Sequence, residues 1–192
     1  MTVDESSQQA ALQRYLLDGE RILWTGQPDP RRLLSASDAI VIPFSLMWGG
    51  FALFWEAGVL GFLSDTPGPG SLFALWGIPF VVIGQYFIWG RFFYKRWDRR
   101  RTIYAVTSQR ILVVKGSNVQ SLFVKQLPQL NQSVRADGSG TIEFGANPYG
   151  FGFWGNTGME FLSRRSLAPA FYDIPEVDRV SRVITDARSP SF

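Results

Sequence analysis

The spacing of apolar positions divides the chain into segments of different kinds. Between Ser7 and Asp18, the residues Ala11, Leu12, Tyr15 and Leu16 recur at helical spacing and Gly19 follows, which predicts a short amphipathic helix with a glycine stop. Glu20 to Pro28 reads as a strand closed by a turn, because Ile22, Leu23 and Trp24 run into Gly26, Gln27 and Pro28. The stretches Ala39 to Trp55 and Ser71 to Gly90 carry no charge and show no polar face. About 20 mostly apolar residues cross the roughly 30 Å hydrocarbon layer of a bilayer. The second stretch meets that length, and the first meets it if it runs past Glu56 to Leu63. Ser64 to Gly70 between them is rich in proline and glycine, so spans of about 39–63 and 71–90 are predicted to form a hairpin.

Beyond the hairpin the period shortens to that of strands. Thr102 to Thr107 and Arg110 to Lys115, joined at Ser108-Gln109, predict a β-hairpin. Further strands are expected at Val119 to Gln126, Leu130 to Arg135 and Thr141 to Phe144, with Ala136 to Gly140 as a turn, and a last one around Met159 to Leu162. Asp173-Ile174-Pro175-Glu176 has the composition of a helix cap: Asp accepts from first-turn amides, Glu lies three residues on, and Pro is tolerated in a first turn. Val177, Val180 and Ile184 then form one apolar stripe opposite Asp178, Arg179, Arg182 and Asp186. The fold class is therefore α+β, an antiparallel roll capped by an amphipathic helix and joined to a two-helix transmembrane hairpin. Residues 1–35 supply the first helix and strand, 36–90 the hairpin, and 91–192 a basic belt and the main part of the domain.

Charge orients this arrangement. Arg31 and Arg32 precede the first span, and Arg91, Lys95, Arg96, Arg99, Arg100 and Arg101 follow the second, whereas the connection holds Asp65 and no cation. The positive-inside rule then places both termini in the cytoplasm. The start, Met1 to Gln8, is acidic and polar where a secretory signal needs a basic and then an apolar region, so the first span is expected to be a retained anchor. The net charge is only +3, and 16 of the 19 cations are Arg. Their concentration beside the spans suits anionic headgroups, while nucleic acid calls for a basic face across the soluble domain. The chain has no Cys and no His, which removes thiolate nucleophiles, disulfides, Cys/His zinc sites and imidazole bases. It spells no phosphate-binding loop, metal constellation or catalytic carboxylate pair, and no cofactor is expected.

Gly19-Glu20-Arg21-Ile22-Leu23-Trp24-Thr25-Gly26-Gln27-Pro28, then two spans, then Tyr104-Ala105-Val106-Thr107-Ser108-Gln109-Arg110-Ile111-Leu112 resembles the bacterial pleckstrin-homology-like membrane proteins. The close, Phe171-Tyr172-Asp173-Ile174-Pro175-Glu176-Val177-Asp178-Arg179-Val180, is similar to that family's last helix. The resemblance implies a pleckstrin-homology-like barrel split by the hairpin, with its first strand contributed from before the spans. It implies no particular activity, because this fold hosts many binding functions.

Three groups of residues invite a functional reading. The belt Arg91, Lys95, Arg96, Arg99, Arg100 and Arg101 sets orientation and lies where anionic phospholipid headgroups are met. Glu56 is the only acid within a span, placed to reach the outer interface or to handle an ion. Tyr149, Phe151 and Phe153 alternate with glycine and are followed by Trp154, either as a partner surface or as a plug of the barrel. The resulting expectation is a non-enzymatic protein of the bacterial inner membrane, whose cytoplasmic domain binds another membrane protein or assembles with itself. The alternatives are an accessory subunit or small pore of a transport system, and an anionic-lipid-binding module.

Overall fold

The computed structural model of the chain describes residues 5–65, 71–127, 129–145, 156–159 and 169–189. The described residues fall into two compact units. One comprises residues up to Arg32, those from Arg96 to Gly145, and 169–189; the other comprises Leu33 to Lys95 with 156–159.

The first unit is α+β, with two antiparallel sheets. Strand β1 (Ile22–Gly26) pairs with β2 (Thr102–Thr107), β2 with β3 (Arg110–Lys115), and β3 with β4 (Asn118–Phe123). The second sheet runs β5 (Leu130–Val134), β6 (Gly140–Phe144), β7 (Ala170–Ile174). The pairing of β1 with β2 joins distant parts of the chain: 75 residues, both apolar helices among them, separate the end of β1 from the start of β2.

Alternation of side chains explains why β2 and β3 are apolar on both faces. Tyr104, Val106, Ile111 and Val113 point into a core shared with Ile142, Phe144, Phe171 and Ile174 of the second sheet. Ala105, Leu112 and Val114 point to the other face, where they bury Leu12 of helix α1 (Glu5–Gln13). Phe171 is the hub of the inner core: it stacks on Tyr104 at 4.6 Å between ring centroids and meets Phe144 edge-on at 4.9 Å. Helix α5 (Val177–Arg188) closes this core with Val177, Val180 and Ile184, all fully buried, as its apolar stripe predicted.

Several boundaries differ from the sequence reading. Helix α1 stops at Gln13 and the chain proceeds through turns to Gly19, whose φ of +77° suits glycine. The strand predicted over Val119 to Gln126 divides at Phe123, and a 3₁₀ turn (Val124–Gln126) follows. Val124 and Leu127, three residues apart, are both buried, and that spacing puts them on one side of a 3₁₀ turn but on opposite faces of a strand. Met159 is buried outside any strand, and the rest of the strand expected there, up to Leu162, lies outside the described residues.

The cap predicted at Asp173 is overturned. Asp173 belongs to β7, with φ of +48°, and its carboxylate is buried against arginines. Helix α5 begins after Glu176 without a side-chain cap, and the Val177 amide donates instead to the Gly138 carbonyl at 3.1 Å.

The second unit is helical. Helix α2 (Asp38–Asp65) packs along α3 (Ser71–Gln85), which continues through a π-helical turn (Tyr86–Gly90) into α4 (Arg91–Arg100). Glycines permit the close approach of α2 and α3: a Cβ on Gly84 would lie 2.9 Å from the Gly49 Cα. Asp38–Gly61 and Phe73–Arg100 are each long and apolar enough to cross a membrane, and only 28% and 11% of their apolar stretches are buried. The second helix is thus longer than the span predicted over 71–90. Large apolar side chains line the outer surfaces, with Phe54 78% and Trp76 64% exposed.

Candidate functional site

The cationic run after the second apolar stretch divides into two faces because it is helical. Arg91, Lys95 and Arg99 are spaced by four and share one side of α4. All three are buried, and each is engaged by its own chain.

Arg91 is 0% exposed and holds the base of the helical unit together. Its amide donates five residues back to the Tyr86 carbonyl, the mark of the π-turn, and its Nε donates to the Phe87 carbonyl at 2.8 Å. Its Nη1 forms an ion pair with Asp38, whose other oxygen accepts the Ser35 hydroxyl at 2.8 Å and the Ser35 amide. Asp38 therefore serves both Arg91 and the start of α2, as the acid of a capping box does. Residues 156–159 belong to this unit. The Tyr86 hydroxyl donates to the Gly158 carbonyl at 2.7 Å, and a Cβ on Gly158, whose φ is +86°, would stand 2.5 Å from the Arg91 carbonyl oxygen. Lys95 Nζ donates to the Leu33 carbonyl at 2.6 Å.

Arg99 belongs to a cluster in the α+β unit. It pairs with Asp173 and donates to the Asp29 carbonyl at 2.6 Å, while Arg135 reaches the other Asp173 oxygen at 2.6 Å. The Asp29 amide donates to the Asp173 carbonyl at 3.2 Å. Asp173 and Arg99 together thus tie α4, the chain after β1, the β5–β6 turn and β7. In that turn Asp137 sits well below the usual carboxylate range, held there by the Ser139 hydroxyl first and then by Arg32 and the Ser139 amide.

The segments Gly19 to Pro28 and Tyr104 to Leu112 meet at a third cluster. Arg110 grips Glu20 with Nε at 2.9 and 3.2 Å and with Nη2 at 3.0 Å. The Thr107 hydroxyl donates to Glu20 Oε1 at 2.5 Å, and the Leu17 amide donates to Oε2 at 2.7 Å. Burial pushes the Glu20 carboxyl up, but the bonds from Arg110, Leu17 and Thr107 outweigh it, and its pKa lies below the ordinary value. The Thr107–Arg110 corner also secures its own turn, since the Arg110 amide donates to Thr107 Oγ1 at 2.9 Å.

Arg96, Arg100 and Arg101 are exposed. Glu56 faces α3, with Oε2 in the space that a Cβ on Gly77 would occupy, buried and without a hydrogen-bond partner among the described residues. Tyr149, Phe151, Phe153 and Trp154 lie outside the described residues. A groove of about 430 Å³ opens beside Ser108, Phe123, Lys125 and Ala187.

Asp38, Asp173 and Glu20 did not stand out in the sequence as partners of the cations. A signal exists for one of them, since Ser35-x-x-Asp38 ahead of an apolar run is a capping box, and another exists for the cations, since the four-residue spacing of Arg91, Lys95 and Arg99 marks one inward face.

The fold and these clusters define a small α+β domain in a chain with two helices able to cross a membrane. Comparison with protein-family models, with curated proteins and with solved structures gives no match.

Proposed function

We propose that the chain is a bacterial inner-membrane protein in which a transmembrane hairpin, with both termini cytoplasmic, interrupts a pleckstrin-homology-like domain that serves as an interaction or assembly module. The outer surfaces of α2 and α3 carry the proposal. A soluble protein rarely leaves so continuous an apolar surface uncovered, and lipid covers it without a partner chain. The pairing of β1 with β2 across the helices supports the split domain, as does a shared core of two antiparallel sheets closed by α5. The buried ion clusters of both units face the chain's own elements and hold those elements together, a scaffold's use of charge.

Because the chain has no cysteine, single cysteines introduced at Ser6, Asp65 and Ser189 report topology against a clean background. Only the Asp65 site is expected to react with an impermeant reagent applied to intact cells. Labelling of either terminal site from outside would overturn the cytoplasmic assignment.

The assembly reading is tested by purification in mild detergent. A defined oligomer or a companion membrane protein in fixed ratio is expected at gel filtration with light scattering. A lone monomer that conducts ions in liposomes would favour a pore instead.

A further inference from the structure

One side of α4 is exposed and carries cations beside an aromatic ring. With Arg91, Lys95 and Arg99 turned inward, Arg96, Trp97 and Arg100 face outward and Arg101 follows them. Trp97 is 51% exposed, and the Arg101 guanidinium lies over its ring, 4.1 Å from the centroid. None of Arg96, Arg100 and Arg101 forms an ion pair with a described residue, and Asp98, the acid of this helix, is taken by Lys115 at 2.8 Å. Back along the same helix, Phe93 and Trp89 are 74% and 63% exposed. In the direction leaving the apolar stretch, exposed side chains therefore change from aromatic alone, Trp89 and Phe93, to Trp97 set among the cations Arg96, Arg100 and Arg101. A bilayer interface changes in the same order, from hydrocarbon through the boundary favoured by Trp to the phosphates.

We propose that Arg96, Trp97, Arg100 and Arg101 form a binding face for the headgroups of anionic phospholipid, with Trp97 at the hydrocarbon boundary and the three guanidinium groups on phosphate oxygens. Guanidinium suits this role because its fork meets phosphate with two parallel hydrogen bonds. The inference rests on α2 and α3 spanning the membrane. It assigns lipid contact to three cations of the belt and leaves Arg91, Lys95 and Arg99 to the fold.

The test uses the full-length protein in phosphatidylcholine liposomes with trace spin-labelled phosphatidylglycerol or phosphatidylcholine, comparing the fraction of each held at the protein surface. At low salt the wild type is expected to prefer phosphatidylglycerol several-fold. Each exposed guanidinium contributes up to roughly five-fold, the factor that about 1 kcal/mol per cation amounts to. The variant Arg96→Gln/Arg100→Gln/Arg101→Gln is expected to bring the ratio near unity and to remove most of its salt dependence. The corresponding triple Lys variant is expected to keep most of the preference. An unchanged ratio in the Gln variant overturns the face. If that variant does not accumulate, Arg96→Gln and Arg100→Gln are measured singly, and no fall in either overturns it equally. A protein that alkaline carbonate strips from membranes defeats the hairpin and the lipid face together. A protein that stays embedded but shows no preference for the anionic lipid defeats the lipid face alone.

Discussion

Asp173→Asn is expected to lower the stability of the α+β unit by about 3–5 kcal/mol, the cost of leaving a buried charge without its counter-ion. Such a loss is a large share of the roughly 5–15 kcal/mol that holds a small domain folded. Asn is the informative replacement because it tolerates the left-handed backbone at φ of +48°, so the variant removes the charge and leaves the conformation possible. What remains is Arg99, itself buried, facing a neutral amide. Arg135 is 40% exposed and keeps its hydration, so Arg135→Gln is expected to cost less than about 1 kcal/mol. Combining Asp173→Asn with Arg99→Met removes both charges and is expected to recover part of the loss. Amide hydrogen exchange in β7, measured on the detergent-solubilised full chain, reads the effect directly. Exchange unchanged in Asp173→Asn would mean that the cluster does not hold β7.

The residues that repeat at a fixed period were the ones the sequence made legible. The β2–β3 hairpin falls at the predicted residues, and the α5 stripe of Val177, Val180 and Ile184 is buried as its spacing required. Both apolar helices were legible from length alone. Strand β7 was not, because Asp173-Ile174-Pro175-Glu176 is also good cap chemistry, and local propensity cannot register two arginines arriving from residues 99 and 135. The cationic run was legible as charge but not as two faces. Treating it as one belt ignored that a helix continuing to Arg100 would turn every fourth cation inward. The partners of those cations are distant in sequence: Arg91 and Asp38 are 53 positions apart and Arg99 and Asp173 are 74 apart, and such pairings become visible only when the fold is known.

The clasp between Glu20 and Arg110 is expected to matter most for β1, the strand that the chain lays down before the apolar helices and recovers after them. Glu20→Gln removes a charge-assisted pair that is almost fully buried, at a cost of about 1.5–3 kcal/mol near neutral pH. A double-mutant cycle with Arg110→Gln should return a coupling energy above about 1 kcal/mol, since the two side chains share three short contacts. Acid gives a sharper test. The folded-state pKa of Glu20 is depressed, so its contribution is complete above the unfolded value of about 4.3 and is lost as pH falls through the lower folded value. The gap in stability between wild type and Glu20→Gln should therefore be constant from pH 7 to about pH 5 and close progressively below about pH 4. Exchange of the β1 amides at Trp24 and Gly26 is the readout, because these lie on the edge strand that the clasp anchors. A gap that persists undiminished at pH 2 would show that the glutamate acts through shape rather than charge, and the clasp would then be no more than a packing contact.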